Sequence, residues 1–464
     1  MKPIILILLT FNSSFASIEI KNLIKKHALK ESTISFVAVN TVTGKDMASY
    51  NPDLPGPLAS VTKMLSLYYA LSTLGADKRF KTSLYYSGKI EDQILKGDIF
   101  LKGEGDPYLT PSQLMNLAYS LKALGIKGHE GKFYFDDTLL AKSPRLSNIG
   151  LEDQPDNPSI GALSVDFNRF RVFRNKELLP QLGHIKLKAS QEQLDVDLNF
   201  KYLPKEKAWI TSEKAKKKYI HDLPSRDAGL FTASYFRYLA SLIGVKVTPP
   251  SPGVVPKTAR LVEEHNGLSL WRLSSLAIEY SNNLMAELPS MVATQAISKK
   301  ASSIADAAES LKIFLQKNFP EAGFNEASFE NSSGLTSNNL ASPRVLTNFL
   351  NKVKNKKFES RSFWSLFSIN GRSGWISKRL IRPELAYRVW AKTGSLHYVN
   401  NIAGYYLNSK GERVAFAILI HDKKMLELLK NPLSKKAEIA RRGAKAWSRK
   451  SKSFTDALLL SWLK

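Results

Sequence analysis

Apolar positions recur with period two near both ends of the chain and with a helical period in the stretches between. Ser35-Phe-Val-Ala-Val-Asn40 alternates and is β-branched, which predicts a strand. Thr43-Gly44-Lys45 reads as a turn, and Asp46 to Tyr50 as the second arm of a hairpin. A Pro- and Gly-rich loop, Asn51 to Pro57, leads into a helix from Leu58 to Leu74 that stops at Gly75. From about Lys81 to Leu261 the texture changes. Short strands are predicted at Ser83–Gly88, Asp98–Lys102 and Gly131–Asp136, with helices at Pro111–Leu124 and Ala228–Leu242. Ile185 to Tyr202 alternates and is read as sheet. Four prolines between Thr248 and Pro256 predict a domain junction. Helices follow at Trp271–Ile278, Leu284–Ala296 and Ser303–Asn318. Strands are then predicted at Tyr387–Lys392, Ile402–Asn408 and Arg413–Ile420, and closing helices at Ala437–Trp447 and Phe454–Leu463.

Strands at both ends with helices between them imply one sheet built from both termini. The fold class is therefore α+β and multidomain, with a large, mostly β region inserted at 81–261 between the segments 17–80 and 262–464 of one discontinuous domain. Residues 1–16 read as a signal peptide. Lys2 gives the positive start, Ile4 to Thr10 the apolar run, and Ser14-Phe15-Ala16 the small residues before cleavage after Ala16. That run is too short to span a bilayer, and no later stretch is apolar enough to do so. The apolar end, Ala457 to Leu463, is expected to dock on the core, which leaves at most peripheral membrane contact.

Composition narrows the chemistry. The formal charge is +26, from 67 Lys+Arg against 41 Asp+Glu, and such a field attracts polyanions. An exported protein rarely meets nucleic acid, and no basic motif is interleaved with aromatics for base stacking. Nucleic acid is thus not an expected partner; an anionic wall polymer or a lipid surface fits better. Basic runs such as Lys214 to Lys218 and Lys354 to Lys357 read as solvated faces. The absence of cysteine rules out disulfides, thiol nucleophiles and thiolate zinc sites. Seven histidines without His-Glu-x-x-His disfavour a zinc peptidase, and no metal or cofactor is expected.

What remains is serine and lysine. Ser60-Val61-Thr62-Lys63 opens the first long helix, and a spacing of three places both side chains on one helical face. A neutral Lys63 amine can then take the Ser60 proton. Ser-x-Asn occurs twice, at Ser281-Asn282-Asn283 and at Ser337-Asn338-Asn339, and Lys392-Thr393-Gly394 occurs once. Each alone has a bland reading, a helix cap for Ser60 or a solvent-facing strand residue for Lys392. Together, in this order, they form the motif set of penicillin-binding proteins and β-lactamases. In that scheme partial burial and a neighbouring Lys392 cation depress Lys63. Ser281 relays a proton to the leaving amine, and Asn283 holds the substrate amide. Lys392 offers charge to a terminal carboxylate, Thr393 and Ser395 offer hydroxyls, and Gly394 permits close approach. The backbone N–H groups of Ser60 and Ser395 would form the oxyanion hole.

Further blocks extend the match. They are Asn51-Pro-Asp53 leading into Ala59–Met64, Leu101-Lys-Gly-Glu-Gly-Asp-Pro107, Gly161–Arg169, Leu223–Asp227, Tyr280–Glu287, Asn331–Leu335 with Ala341–Arg344, and Ala391–Ser395. On these residues the chain resembles the class C low-molecular-mass penicillin-binding proteins, the D-alanyl-D-alanine carboxypeptidases/endopeptidases of peptidase family S13. The resemblance selects Ser281 over Ser337 as the catalytic Ser-x-Asn. It implies a β-lactamase/transpeptidase-like domain with an antiparallel sheet flanked by helices, and a subdomain nested in the insert at about 165–220. It also implies a periplasmic serine DD-peptidase that acts on peptidoglycan stem peptides and is acylated by β-lactams. An acidic residue of the insert, Asp153 or Asp156, would read the amino group of diaminopimelate. Ser337 stands where family members often carry a basic residue. Two rival readings are a β-lactamase or esterase on the same scaffold and a non-catalytic basic wall-binding protein.

Overall fold

In the computed structural model, residues 13–30, 33–173, 177–189, 194, 198–211 and 220–463 are described. Most of the signal-peptide stretch and the Lys214–Lys218 run lie outside them, as do parts of 165–220. The cleavage point expected after Ala16 falls within a helix, Ser13–Lys26.

A six-stranded antiparallel sheet organises the chain. Its order is Asp46–Tyr50, Ile34–Asn40, Arg413–His421, Val399–Leu407, Val389–Leu396 and Ser368–Ile369. The N-terminal strand pairs with a strand almost four hundred residues away, Phe36 opposite Ile418. Both faces of the sheet are covered, so its strands alternate between two apolar cores rather than between core and water. Ala403, Tyr405, Ala415, Ala417 and Leu419 face one core with helices Thr62–Leu74, Leu284–Ser298 and Pro343–Val353. Ile402, Tyr406, Phe416, Ile418 and Ile420 face the other, against Phe454, Leu458, Leu459 and Leu463 of the last helix. That last helix is one unbroken element, Lys435–Leu463, where the sequence pattern suggests two. The polar run Ser448–Ser453 lacks apolar periodicity but holds no residue that breaks a helix.

A second, five-stranded sheet is ordered Pro250–Pro252, Phe133–Asp136, Ile99–Gly103, Arg79–Tyr86 and Arg260–Ser269, and two of its strands run across the bounds expected at 81 and 261. Its core joins Leu84, Leu101 and Phe133 to Leu114, Leu117, Phe231 and Phe236 of two covering helices. The proline-rich stretch contributes the edge strand of this sheet, parallel to Phe133–Asp136. Prolines are tolerated there because an edge strand leaves one row of N–H positions without ladder partners. Two small three-stranded sheets, around Arg169–Phe173 and Ala208–Thr211, lie beyond it. One segment of the insert crosses back: Leu140, Leu146, Ile160 and Ala162 belong to the core beneath helix Thr62–Leu74. The loop they anchor carries Asp156 to the site.

Candidate active site

Ser60 sits on a single 3-10 turn, Ala59–Val61, which feeds directly into the helix Thr62–Leu74. Ala59 is left-handed, with φ 47°, an unfavourable conformation for a residue with a Cβ. Neighbouring elements hold the turn in place. Asn401 Nδ2 donates to the carbonyls of Pro57 and Leu58 at 2.7 and 3.0 Å. The Leu58 N–H donates to Asn339 O at 2.8 Å, and Asn339 Nδ2 to Thr62 Oγ1 at 3.2 Å. Gly394 of the strand Val389–Leu396 presses on the same turn. A Cβ there would lie 2.6 Å from Leu58 O and 3.2 Å from the Ser60 nitrogen. Only glycine lets this strand edge approach so closely.

Lys63, one turn on, is wholly buried. Its Nζ lies 2.9 Å from Ser60 Oγ, 2.7 Å from Asn283 Oδ1 and 2.7 Å from the Ser333 carbonyl. The last two partners can only accept. A neutral amine would give them its two N–H groups and turn its lone pair to the Ser60 hydroxyl. Burial pulls Lys63 down to about 7, against the opposing attraction of Glu287 and Asp156. The depression thus comes from desolvation, and the repulsion between the two lysines is felt at Lys392 instead. Lys392 is buried, held well below the usual lysine range by desolvation and then by the charge of Lys63. Its Nζ donates to Ser281 Oγ at 2.9 Å and Thr393 O at 2.7 Å. It faces inward, while Thr393 and Ser395 line the cleft.

Ser281 follows the last residue of helix Leu270–Tyr280 in a left-handed conformation, φ 60°. That bend turns the chain between two helices. Asn283 then precedes the helix Leu284–Ser298. Its Nδ2 donates to the Asp156 carbonyl at 2.8 Å, which fixes the amide with its oxygen toward Lys63.

The cleft has a volume of about 980 Å³ and contains Ser60, Ser281, Asn283, Thr393 and Ser395, with Asp156, Phe167 and Arg169 from the insert. Asp156 opens to solvent through the cleft mouth, yet enough protein surrounds its carboxyl for desolvation to push its pKa up. Asp153 is placed differently. Its Oδ2 accepts the N–H groups of Asn199 and Phe200 at 2.9 and 3.3 Å, tying the loop to the nested sheet. Ser337 and Asn338 line an adjoining cavity of about 770 Å³, which meets the cleft at Asp156, Leu335 and Ser395.

Two contributors lie inside the matched blocks Asn331–Leu335 and Tyr280–Glu287 but receive no role from them. One is the Ser333 carbonyl, a backbone atom that any residue type could supply. The other is Glu287, fully buried, whose Oε1 accepts the Ser333 N–H at 2.7 Å. Burial raises its pKa, and the charge of Lys63 opposes the rise. Its signal in the sequence is a carboxylate inside the apolar run Leu284-Met-Ala-Glu-Leu288.

Comparison with known proteins identifies the family. The family model of D-Ala-D-Ala carboxypeptidase 3 (S13) matches residues 16–199 and 244–441. D-alanyl-D-alanine carboxypeptidase DacB of Haemophilus influenzae is 27% identical over 436 residues, covering 88% of this chain and 89% of that protein. A D-alanyl-D-alanine carboxypeptidase of an Actinomadura strain is 29% identical over 32% of this chain and 28% of its own length. The crystal structure of penicillin binding protein 4 from H. influenzae superposes with a TM-score of 0.79, at 24% identity, over 96% of this chain and 99% of that one. The chain belongs to the D-Ala-D-Ala carboxypeptidase 3 (S13) family and is a serine-peptidase hydrolase with the fold of that penicillin binding protein 4 structure.

Proposed function

We propose that the protein is an exported, periplasmic DD-peptidase that hydrolyses the terminal D-Ala–D-Ala bond of peptidoglycan stem peptides. The same site would open D-Ala–diaminopimelate crosslinks. The observation that carries this reading is the contact between Ser60 Oγ and a wholly buried Lys63 depressed to about 7. A base near neutrality beside a hydroxyl is what acyl transfer needs. Ser60 Oγ bonds to the carbonyl carbon while its proton passes to Lys63. The tetrahedral oxyanion lies against the N–H groups of Ser60 and Ser395. The C–N bond then breaks, and the leaving nitrogen takes its proton through Ser281. Water hydrolyses the Ser60 ester by the reverse relay.

Asn283 holds the substrate amide, and Lys392 acts through Ser281. Because Lys392 is turned inward, Thr393 and Ser395 take the terminal carboxylate, with Gly394 keeping the edge open. Asp156, on the cleft wall, is the acidic residue of the insert that reads a diaminopimelate amine; Asp153 braces the loop. β-Lactams, whose ring carbonyl mimics the scissile amide, acylate Ser60. The H. influenzae relative, whose structure is also known in complex with a β-lactam, supports this. Among the described residues no helix is long and apolar enough to cross a membrane.

The test is labelling with a fluorescent penicillin, mapping of the labelled peptide, and mass analysis of digested muropeptides. Expected are a long-lived adduct on Ser60, none on Ser60→Ala, and loss of one D-Ala from stem pentapeptides. An unlabelled wild type, or equal labelling of Ser60→Ala, would overturn the mechanism. Rapid penicillin turnover would favour a β-lactamase.

A further inference from the structure

The proton relay fixes which way the substrate lies. The leaving nitrogen must come to Ser281, so the leaving half of the substrate occupies the cleft beside Ser281. A leaving D-alanine is a methyl, a carboxylate and an amine, and it needs only a small polar niche. The lobe at Ser281 is different. Tyr280 adjoins Ser281, and Trp375, Arg272, Arg379 and Lys452 line the same cleft. Trp375 is 68% exposed and Tyr280 is 64% exposed, although each ring would bury on the order of 150–250 Å² if covered. Two large aromatics left bare on one cleft wall mark a surface that something else covers.

The two rings are held there by neighbouring backbone. Trp375 lies on the turn Gly374–Ile376. A Cβ on Gly374 would lie 3.1 Å from the Glu279 carbonyl and 2.1 Å from Ser368 Oγ. This turn is therefore seated on the C-terminal end of helix Leu270–Tyr280, where the left-handed Ser281 begins the bend. The same bend that delivers the relay hydroxyl places Tyr280 on the rim. Arg379 is engaged by Asp456 at 2.6 Å. Arg272 and Lys452 are exposed cations on the lobe.

We propose that Tyr280 and Trp375 form an aromatic rim that seats a leaving group longer than one residue. That leaving group is the amine-bearing arm of a crosslinked stem peptide, its free carboxylates facing Arg272 and Lys452. The rim is a specificity element for crosslink cleavage over release of D-alanine. This inference rests on the peptidase reading above and names the substrate that its leaving-group side is built for.

The test compares two substrates on the full-length exported protein: a disaccharide-peptide dimer with a D-Ala–diaminopimelate crosslink, and a monomeric pentapeptide ending in D-Ala–D-Ala. Penicillin labelling is read alongside. Trp375→Ala is expected to lower the ratio of dimer cleavage to D-Ala release about tenfold, mainly through KM for the dimer, because a buried aromatic anchor dominates such contacts. Trp375→Phe is expected to restore most of the ratio. Parallel loss on both substrates, or an unchanged ratio, overturns the inference and leaves the peptidase reading standing. So does a wild type that takes penicillin and releases D-Ala but leaves the dimer intact. A wild type that takes no penicillin and cleaves neither substrate overturns the peptidase reading, and this inference with it.

Discussion

Lys63 Nζ donates to the Asn283 side-chain oxygen at 2.7 Å, across 220 residues of sequence. The Asp156 carbonyl orients that amide from the other side. Three segments thus agree on where the amine points. Asn283→Asp replaces a neutral acceptor with a charged one and sets a carboxylate against the Asp156 carbonyl. A carboxylate beside Lys63 favours the ammonium form and raises its pKa. Penicillin acylation at pH 7 should fall at least about tenfold, with partial recovery at higher pH. An unchanged rate across the pH range would show that Asn283 does not govern the base.

The wild-type enzyme should itself be pH-gated. The base works only when neutral, and burial sets Lys63 at about 7. The second-order acylation rate should therefore climb as pH rises through about 7 and level off above it. Glu287 raises the Lys63 pKa by attraction, so Glu287→Gln should move this limb to lower pH. Stopped-flow acylation from about pH 5 to about pH 9 would show it; a flat profile contradicts the assignment of Lys63 as base.

Gly394→Ala places a methyl 2.6 Å from Leu58 O and 3.0 Å from the Val61 nitrogen. Backbone atoms on both sides cannot yield cheaply. The strand should move off the Ser60 turn, with a stability loss of about 1–3 kcal/mol and acylation down by at least about tenfold. Thermal unfolding and labelling should both register the change. A variant with wild-type acylation would mean that the turn tolerates displacement.

Asn401 is nowhere in the motifs, yet its amide carries two carbonyls of the Ser60 loop and accepts the Ile420 N–H at 3.1 Å. Asn401→Leu removes the amide from the Pro57 carbonyl and the Ile420 N–H, and leaves the Leu58 carbonyl only its bond from the Val61 N–H, which should cost about 1–3 kcal/mol. Asn401→Asp removes only the donor side. It should keep the Ile420 bond and still slow acylation. Equal behaviour of the two variants would assign Asn401 to stability alone.

The contrast between Asn401 and Ser60 shows what the sequence makes legible. Ser60, Lys63, Ser281, Asn283 and Lys392 stand out because the chemistry proposed for them needs particular side chains at particular spacings. Asn401 and the Ser333 carbonyl brace that chemistry through backbone atoms, and such contacts depend on where chains meet, not on a local pattern. Glu287 lies between: a carboxylate in an apolar helix is visible, but its partner is not. Asp153 and Asp156 are equivalent in sequence and three residues apart. Only the fold shows that one caps the nested sheet and the other opens on the cleft.

At the level of elements, periodicity captures the hairpin and the long helices because burial there is regular. It misses the strand Pro250–Pro252, where tertiary pairing overrides the usual reading of proline. It splits the last helix where side-chain polarity changes but the backbone does not. The start of the helix at Thr62 rather than Leu58 reflects the left-handed Ala59, which nothing local announces.

The strand Ile34–Asn40 lies between the hairpin strand Asp46–Tyr50 and the strand Arg413–His421. Ser60 and Lys63 are thus made early in synthesis, whereas Lys392 and the strand that completes their sheet are made near the end. Closing so long a loop is slow, and contacts of this range form late. A nascent or truncated chain holds the nucleophile without its relay, so hydrolytic competence arrives only with the final segments. For a hydrolase whose nucleophile is made first and whose sheet is closed last, the topology acts as a timer: the blade is assembled last.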